Sequence, residues 1–238
     1  MPAQSRPAYR FYQLIWNSLD WLYPPRCGGC GKSGSRWCPT CQQTTLRIIP
    51  PVCPRCGQSM TRAELCRKCR QTAPQFHALR SWGVFDGPLR NAIHRLKYRR
   101  DVALGEALAR PLIELLETVD WSVDLATPVP LGVARQAERG YNQSALLAKL
   151  LALGCNLDYN PRSLRKTRDT PSQGGLSVEQ RWANVAGSFE AIPKDAAGKH
   201  VLVVDDVTTS GATLSACAEA LLSAGASWVY ALTLARAV

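Results

Sequence analysis

Residues 201–213, VLVVDDVTTSGAT, restrict the fold of this 238-residue chain more than any other stretch. Four apolar residues run straight into two carboxylates, then into small hydroxyl residues and one glycine, and an alanine-rich helical pattern follows. A continuous apolar run bounded by turn residues reads as a strand buried on both faces, the habit of a parallel sheet covered by helices. Asp205 and Asp206 fall where that strand ends, on the edge that faces ligands in open α/β sheets. Backbone N–H groups of residues 209–213, freed at the helix start, can point at an anion, and the hydroxyls of Thr209, Ser210 and Thr213 add donors. The stretch therefore reads as a sugar phosphate cradle. A ribose 5-phosphate would set its 2- and 3-hydroxyls against Asp205 and Asp206. Its phosphate would lie in the loop of Val207, Thr208, Thr209, Ser210, Gly211, Ala212 and Thr213. No Walker-type or dinucleotide glycine pattern competes with this reading.

A different constraint rules the N-terminal third. Four CxxC pairs, Cys27/Cys30, Cys38/Cys41, Cys53/Cys56 and Cys66/Cys69, are separated by gaps of seven, eleven and nine residues. Each pair can place two thiolates on one tetrahedral ion, and Gly31 and Gly57 follow a cysteine where a tight metal knuckle needs them. Disulfides are disfavoured in a reducing compartment, and a redox CxxC would occur once, beside a βαβ pattern. Two structural zinc sites are expected. Sequential pairing keeps each closed loop short, while interleaved pairing remains an alternative. With few apolar residues between the cysteines, metal must supply the folding energy of this segment. His77 lies just beyond and is expected to be structural, since eight cysteines complete two sites.

Charge follows the same division. Of the net +11, residues 1–80 carry most, with 12 Lys and Arg against 2 Asp and Glu. Two Zn(Cys)4 centres would each bring −2 and lower that segment to about +6. A basic face survives, which suits a solvated surface or a nucleic-acid or acidic-protein partner. Trp37 beside Arg36 suits base stacking as well as it suits packing. Phe11, Leu14, Ile15, Leu19 and Leu22 recur at helical spacing, so residues 1–25 should form an amphipathic helix ending at Pro24 and Pro25. No apolar run approaches the roughly 18 residues needed to cross a bilayer, and a signal-peptide core is missing, so the expected location is the cytoplasm.

Beyond the zinc segment, 26–73, a larger unit over 74–238 is expected. Residues 82–85 read as a short strand, and 89–116 carry helical periodicity broken near Arg100 and Asp101. His94, Lys97, Arg99 and Arg100 make a basic cluster, read either as an exposed helix end or as a rim for phosphate or nucleic acid. Residues 125–131, LATPVPL, read as a strand whose Pro128 and Pro130 mark its ligand-facing end. Arg135 and Arg139 follow and can approach the pyrophosphate end of a ligand, and a helix is expected over 144–153. Cys155 and Cys217 are expected to be packing residues. His200 invites no chemical role.

The stretch at 201–213 resembles the phosphoribosyl pyrophosphate (PRPP) motif of type I phosphoribosyltransferases, with Ser210 keeping the hydroxyl of the usual second threonine. The cysteine pairs, HRLKYRR, PVPL, ERGYNQ, the R-T-x-x-Q-x-x-L stretch from Arg168 through Thr170 and Gln173, Arg181 with Asn184, and VLVVDDVTTSGAT stand in one order. Together they resemble the ComF family of competence-type proteins, which includes GntX. That resemblance covers almost the whole chain. It implies an α/β fold in which a type I phosphoribosyltransferase domain with a Rossmann-like parallel sheet follows a double zinc ribbon, and a role in DNA uptake or in the use of DNA as a nutrient. It further implies PRPP bound with Mg2+.

Residues 162–184 are polar and glycine-containing, and they resemble the mobile hood that covers PRPP in related enzymes, where excluding water would protect a cationic ribosyl transition state. Two functions fit. In one, Asp205 and Asp206 hold the ribose and pyrophosphate leaves toward Arg139 as an acceptor attacks; the sequence offers no acceptor-binding constellation. In the other, the chain is a non-catalytic accessory protein of DNA uptake that binds nucleotide and single-stranded DNA.

Overall fold

The apolar run at 201–204 is indeed a central strand, but it lasts longer than its apolar residues. Residues 24–170 and 177–237 of a computed structural model are described here, with Val178 by its backbone alone. The helix expected over 1–25 and the Gln173 end of the R-T-x-x-Q-x-x-L stretch lie outside the described residues, apart from Pro24 and Pro25. In chain order the elements are α1 (Pro39–Thr44), α2 (Arg67–Gln71), β1 (Ala78–Val84), α3 (Gly87–Tyr98), α4 (Leu104–Glu117), β2 (Leu125–Pro128), α5 (Val133–Arg139), α6 (Gln143–Cys155), β3 (Asp158–Tyr159), β4 (Leu164–Lys166), α7 (Val178–Val185), β5 (Phe189–Ala191), α8 (Pro193–Ala196), β6 (His200–Thr208), α9 (Ala212–Ser223) and β7 (Trp228–Arg236).

Five strands form a parallel sheet in the order β1-β7-β6-β2-β3, and β4 pairs with β5 in a separate antiparallel ribbon. Successive side chains of a strand point to opposite faces, so β6 feeds two cores. Val201 and Val203 pack with α9, β4 and β5, whereas Leu202 and Val204 pack with α3, α4 and α6. All four are fully buried, and each contributes about 1.5–3 kcal/mol relative to exposure. The predicted break near Arg100 separates α3 from α4; Arg100 adopts a left-handed φ of 52°, and Asp101 turns back to pair with Arg95.

Ribbon and sheet are stitched together by backbone contacts. Around the first cysteine group, Arg95 of α3 donates to the Cys27 carbonyl at 2.8 Å and Asn91 to that of Gly29 at 3.0 Å. Trp37 is half-buried against the α3–α4 core, so packing claims the indole that sequence left open to base stacking. Residues 46–48 then run antiparallel along the outer edge of β1, with Ile48 N–H donating to the Trp82 carbonyl and Val84 N–H to that of Leu46. That cover satisfies an edge which would otherwise invite aggregation. The second group sits on the start of β1, where the N–H of Leu79 donates to the Arg55 carbonyl at 2.8 Å. His77 is structural as expected: its Nδ1 accepts from the Val229 N–H at 3.1 Å, and its ring lies 3.9 Å from that of Trp228.

Two equivalent knuckle glycines separate conformational strain from docking. Gly31 has φ 79° with open space where a side chain would go, whereas Gly57 has φ 70° and a Cβ there would stand 2.4 Å from the Leu79 carbonyl oxygen. Gly31→Ala should therefore lose only the left-handed penalty of about 1–2 kcal/mol. Gly57→Ala should lose clearly more, because backbone must shift; urea unfolding of the two variants side by side measures the difference.

Candidate functional site

Strand order places a crevice at β6. The chain leaves β6 through α9 toward β7 on one side, and leaves β2 through α6 toward β3 on the other, so the β6/β2 junction is a topological switch point, where open α/β sheets bind ligands. Pairing between β2 and β6 stops at Pro128 opposite Val204, with a last bond from Val129 N–H to the Val204 carbonyl at 2.9 Å. Strand β6 continues alone with β7 as far as Thr208. The two acids thus lie within the strand rather than past its end, at the point where one flank opens.

Their environments differ. Ser144, near the start of α6, donates to Asp205 Oδ1 at 2.7 Å, and the Asp206 N–H donates to the same oxygen at 2.9 Å. Burial and the neighbouring Asp206 push the Asp205 carboxyl up to about 7, with Lys97 and the Ser144 hydroxyl pulling the other way. Asp206 is buried and ion-paired: Lys97 Nζ of α3 stands 2.9 Å from its Oδ2. The HRLKYRR cluster is therefore split by the helix. Lys97 points into the site, Arg95 binds the first ribbon, His94 packs near Phe85 and Tyr98, and Arg99 and Arg100 stay exposed.

After Thr208 the loop of Thr209, Ser210 and Gly211 turns into α9. Gly211 takes φ 83° at the N-cap position and brings no capping side chain, so the helix N-terminus keeps donors for another acceptor. Ser210 Oγ accepts from the Ala212 N–H at 3.4 Å, and the buried Thr208 hydroxyl has no hydrogen-bond partner among the described residues. The ERGYNQ segment positions the other wall. Arg139 ends α5, Gly140 turns the chain in the left-handed region, and Asn142 caps α6 while donating to the Val129 carbonyl at 2.9 Å. Arg139 donates to Gln143 Oε1 at 2.9 Å and lies over the Tyr98 ring at 5.2 Å, close to the end of α3 that carries Lys97. Arg135 is near enough to Lys166 to add to burial in pushing that ammonium down.

The segment 162–184 is not a plain loop in its described parts. It holds β4 and the capped helix α7, and Leu164 and Val185 are buried with Phe189 against α9. Asp169 reaches the start of α5, accepting from the Ala134 N–H at 3.4 Å. Cys217 is buried in the α9 core and Cys155 packs at the edge of the other, as expected. His200 sits beside Ser122 and Asp124 at the far end of β6.

The eight remaining cysteines form two tetrads, Cys27, Cys30, Cys38, Cys41 and Cys53, Cys56, Cys66, Cys69, with the sulfurs of each within 4.8 Å of one another. Pairing is sequential, and the interleaved alternative does not occur. The donor set fits tetrahedral zinc, and the second group packs little besides its own cysteines and Met60. Burial raises the Cys27 thiol, yet backbone N–H donors from Cys30, Cys38 and Gly29 outweigh it and bring it to about 6, whereas burial and the neighbouring thiols push Cys41 of the same tetrad up. Nothing in the sequence singles out Ser144 or Arg236, and Lys97 stands in a cluster that reads either as an exposed helix end or as a rim for phosphate or nucleic acid. For Lys97 and His94 the i, i+3 spacing on α3 was the available signal; Ser144 and Arg236 had none, since only folding brings them to the acids and the ribbon.

Comparison with known proteins agrees with both parts. A double zinc ribbon domain matches residues 18–70 and a phosphoribosyl transferase domain matches residues 108–237. The chain is 34% identical over 212 residues to the DNA utilization protein YhgH of Salmonella typhimurium, covering 85% of this chain and 92% of that one. The Escherichia coli K12 protein of the same name is 32% identical over 205 residues, 84% and 89% of the two chains. Competence protein F of Haemophilus influenzae is 29% identical over 208 residues, 84% and 90%.

Metal analysis should find two zinc ions per chain, and Cys66→Ser should lower the ratio to about one while leaving the first tetrad loaded. Lys97→Met should lower stability in urea by about 3–5 kcal/mol, since it strands a buried carboxylate. Adding Asp206→Asn to it should recover part of that loss.

Proposed function

This chain belongs to the family of competence and DNA-utilization proteins that join a double zinc ribbon to a phosphoribosyltransferase domain, and from that premise we propose that the crevice at Asp205 binds PRPP. The observation that carries the reading is Asp205, which has no ion-pair partner among the described residues, standing at the switch point beside the N-terminus of α9, whose N-cap residue is a glycine. In this reading Asp205 accepts from the ribose hydroxyls. Residues Val207, Thr208, Thr209, Ser210, Gly211, Ala212 and Thr213 hold the 5-phosphate. Asp206 serves through Lys97, holding the ammonium toward the pyrophosphate end that Arg139 also faces. Carboxylate oxygen suits a hard cation, and Mg2+ arriving with the ligand would screen pyrophosphate charge. The reaction would transfer the phosphoribosyl group to an acceptor, with α7 and β4 shielding the ribosyl centre from water. The family role in DNA uptake or in use of DNA as a nutrient follows from the relatives' names, and a soluble cytoplasmic setting fits a chain whose described helices are all too short or polar to cross a membrane.

A second reading rests on a groove of about 460 Å3 where the first ribbon meets α3, lined by His94, Arg95, Tyr98 and Arg99. Tyr98 is largely exposed there. An aromatic face among cations suits single-stranded DNA, and the chain would then act as a binding accessory of uptake proteins without catalysis. Steep loss of single-strand affinity with salt would support it.

Calorimetry with PRPP and Mg2+ on zinc-loaded protein tests the main reading. Binding should be 1:1 and should fall at least tenfold in Asp205→Asn. Because the Asp205 carboxyl titrates near 7 and the ligand needs the carboxylate, affinity should rise about tenfold from pH 6 to pH 8 and be flat in the variant. The sign for stability is opposite: the neutral carboxyl's contribution is fully present below the ordinary Asp range near 4 and is lost as pH rises through 7. Wild-type protein that gives no heat with PRPP would exclude this function.

A further inference from the structure

The two cysteine tetrads are alike in spacing and unlike in access to solvent. In the first, Cys30 is exposed and Cys38 half-buried, with their sulfurs 3.8 Å apart. In the second, Cys56 and Cys66 take the same places at 3.7 Å, but Cys56 is half-buried and Cys66 buried. The remaining ligands, Cys27 with Cys41 and Cys53 with Cys69, are buried in both.

Packing explains the difference. In the second tetrad Gly57 lies against the Leu79 carbonyl, and Arg80 and Arg236 donate to the carbonyls of Pro54 and Cys56. That knuckle is thereby docked on β1 and β7. In the first tetrad the leading half is docked: a side chain at Gly28 would stand 2.7 Å from Leu104 and one at Gly29 2.7 Å from Pro88, while Arg95 and Asn91 hold the carbonyls of Cys27 and Gly29. The half that follows is open. Among the described residues a side chain at Gly31 or Gly34 would meet nothing, and Gly31 lines the groove on α3, which leads solvent to the residue beside Cys30.

A thiolate that a small oxidant can reach, beside a second thiolate that can resolve it, is the arrangement of a redox-responsive cysteine pair. We propose that the first tetrad is a reversible zinc site opened by hydroperoxides, with Cys30 as the reacting thiolate and Cys38 as its resolving partner, while the second tetrad keeps its metal. The Cys30 thiolate attacks the hydroperoxide, an S–O bond forms as the O–O bond breaks, and the departing oxygen takes a proton. The Cys38 thiolate then displaces hydroxide from the sulfenic acid, the S–S bond closes, and the hydroxide leaves as water once protonated. The two sulfurs together lose two electrons and the peroxide gains two. Cys27 and Cys41 alone are two ligands of four, too few to retain Zn2+. Because the leading half of the knuckle is docked on α3 independently of Cys30, reduction of the disulfide by a thiol returns a site ready to rebind. The inference rests on zinc occupancy and on neither PRPP nor DNA binding.

Hydrogen peroxide added to zinc-loaded full-length protein tests it, with a chromogenic chelator reading released zinc and alkylation with peptide mapping reading the cysteines. About one zinc ion per chain should leave at least about tenfold faster than the other, together with a disulfide between Cys30 and Cys38. Cys53, Cys56, Cys66 and Cys69 should remain alkylatable after denaturation. A dithiol with added zinc should then restore both ions. Cys66→Ser, which keeps the first site alone, should release its ion at the fast wild-type rate, and the wild-type mapping decides if that variant does not fold. The proposal is overturned if no zinc leaves, if both ions leave at one rate or the second tetrad empties first, if the early disulfide excludes Cys30, or if reduction fails to restore the site. None of these outcomes bears on PRPP binding.

Discussion

Pro128 and Pro130 bring no N–H to a ladder, and the site depends on what that withholds. Strand β2 stops accompanying β6 at Val204, four residues before β6 itself ends. Beyond that point the β2-side backbone edge of β6 is released from β2, while β7 holds the other side of β6 in register to Thr208. The acids are thereby held by strand backbone, which is more rigid than loop.

Opposite partners then give two adjacent carboxylates different characters. Asp206 is buried with an ammonium at 2.9 Å. Asp205 has a hydroxyl and a backbone N–H but no ion-pair partner among the described residues, and burial, with Asp206 beside it, raises its carboxyl to about 7. This division of labour depends on α3, whose other face is fastened to the first ribbon through Arg95 and Asn91.

The zinc ribbons consequently belong to the same mechanical unit as the sheet. The first is bonded to the helix that supplies Lys97, and the second to β1 and to Arg236 at the end of β7. Among the described residues the second packs little besides its own cysteines and Met60, so its folding energy must come largely from metal.

Much was legible in the chain itself. Local patterns determined the buried strand at 201–204, the glycine turn at Gly211, the break between α3 and α4, and two cysteine quartets, because strand period, left-handed turns and metal spacing are properties of short segments. The order of motifs carried the family. What folding alone decided was which groups meet across the chain: Lys97 with Asp206, Ser144 with Asp205, Arg236 with the Cys56 carbonyl, and Trp37 turned inward. Those pairs span dozens to more than a hundred residues, and no local periodicity encodes them; they arise from where helices cross the sheet. Sequence thus determined that two carboxylates stand beside a phosphate-sized loop, and tertiary structure decided that Lys97 pairs with Asp206 and not, among the described residues, with Asp205, because packing of α3 brings the ammonium to one of the two.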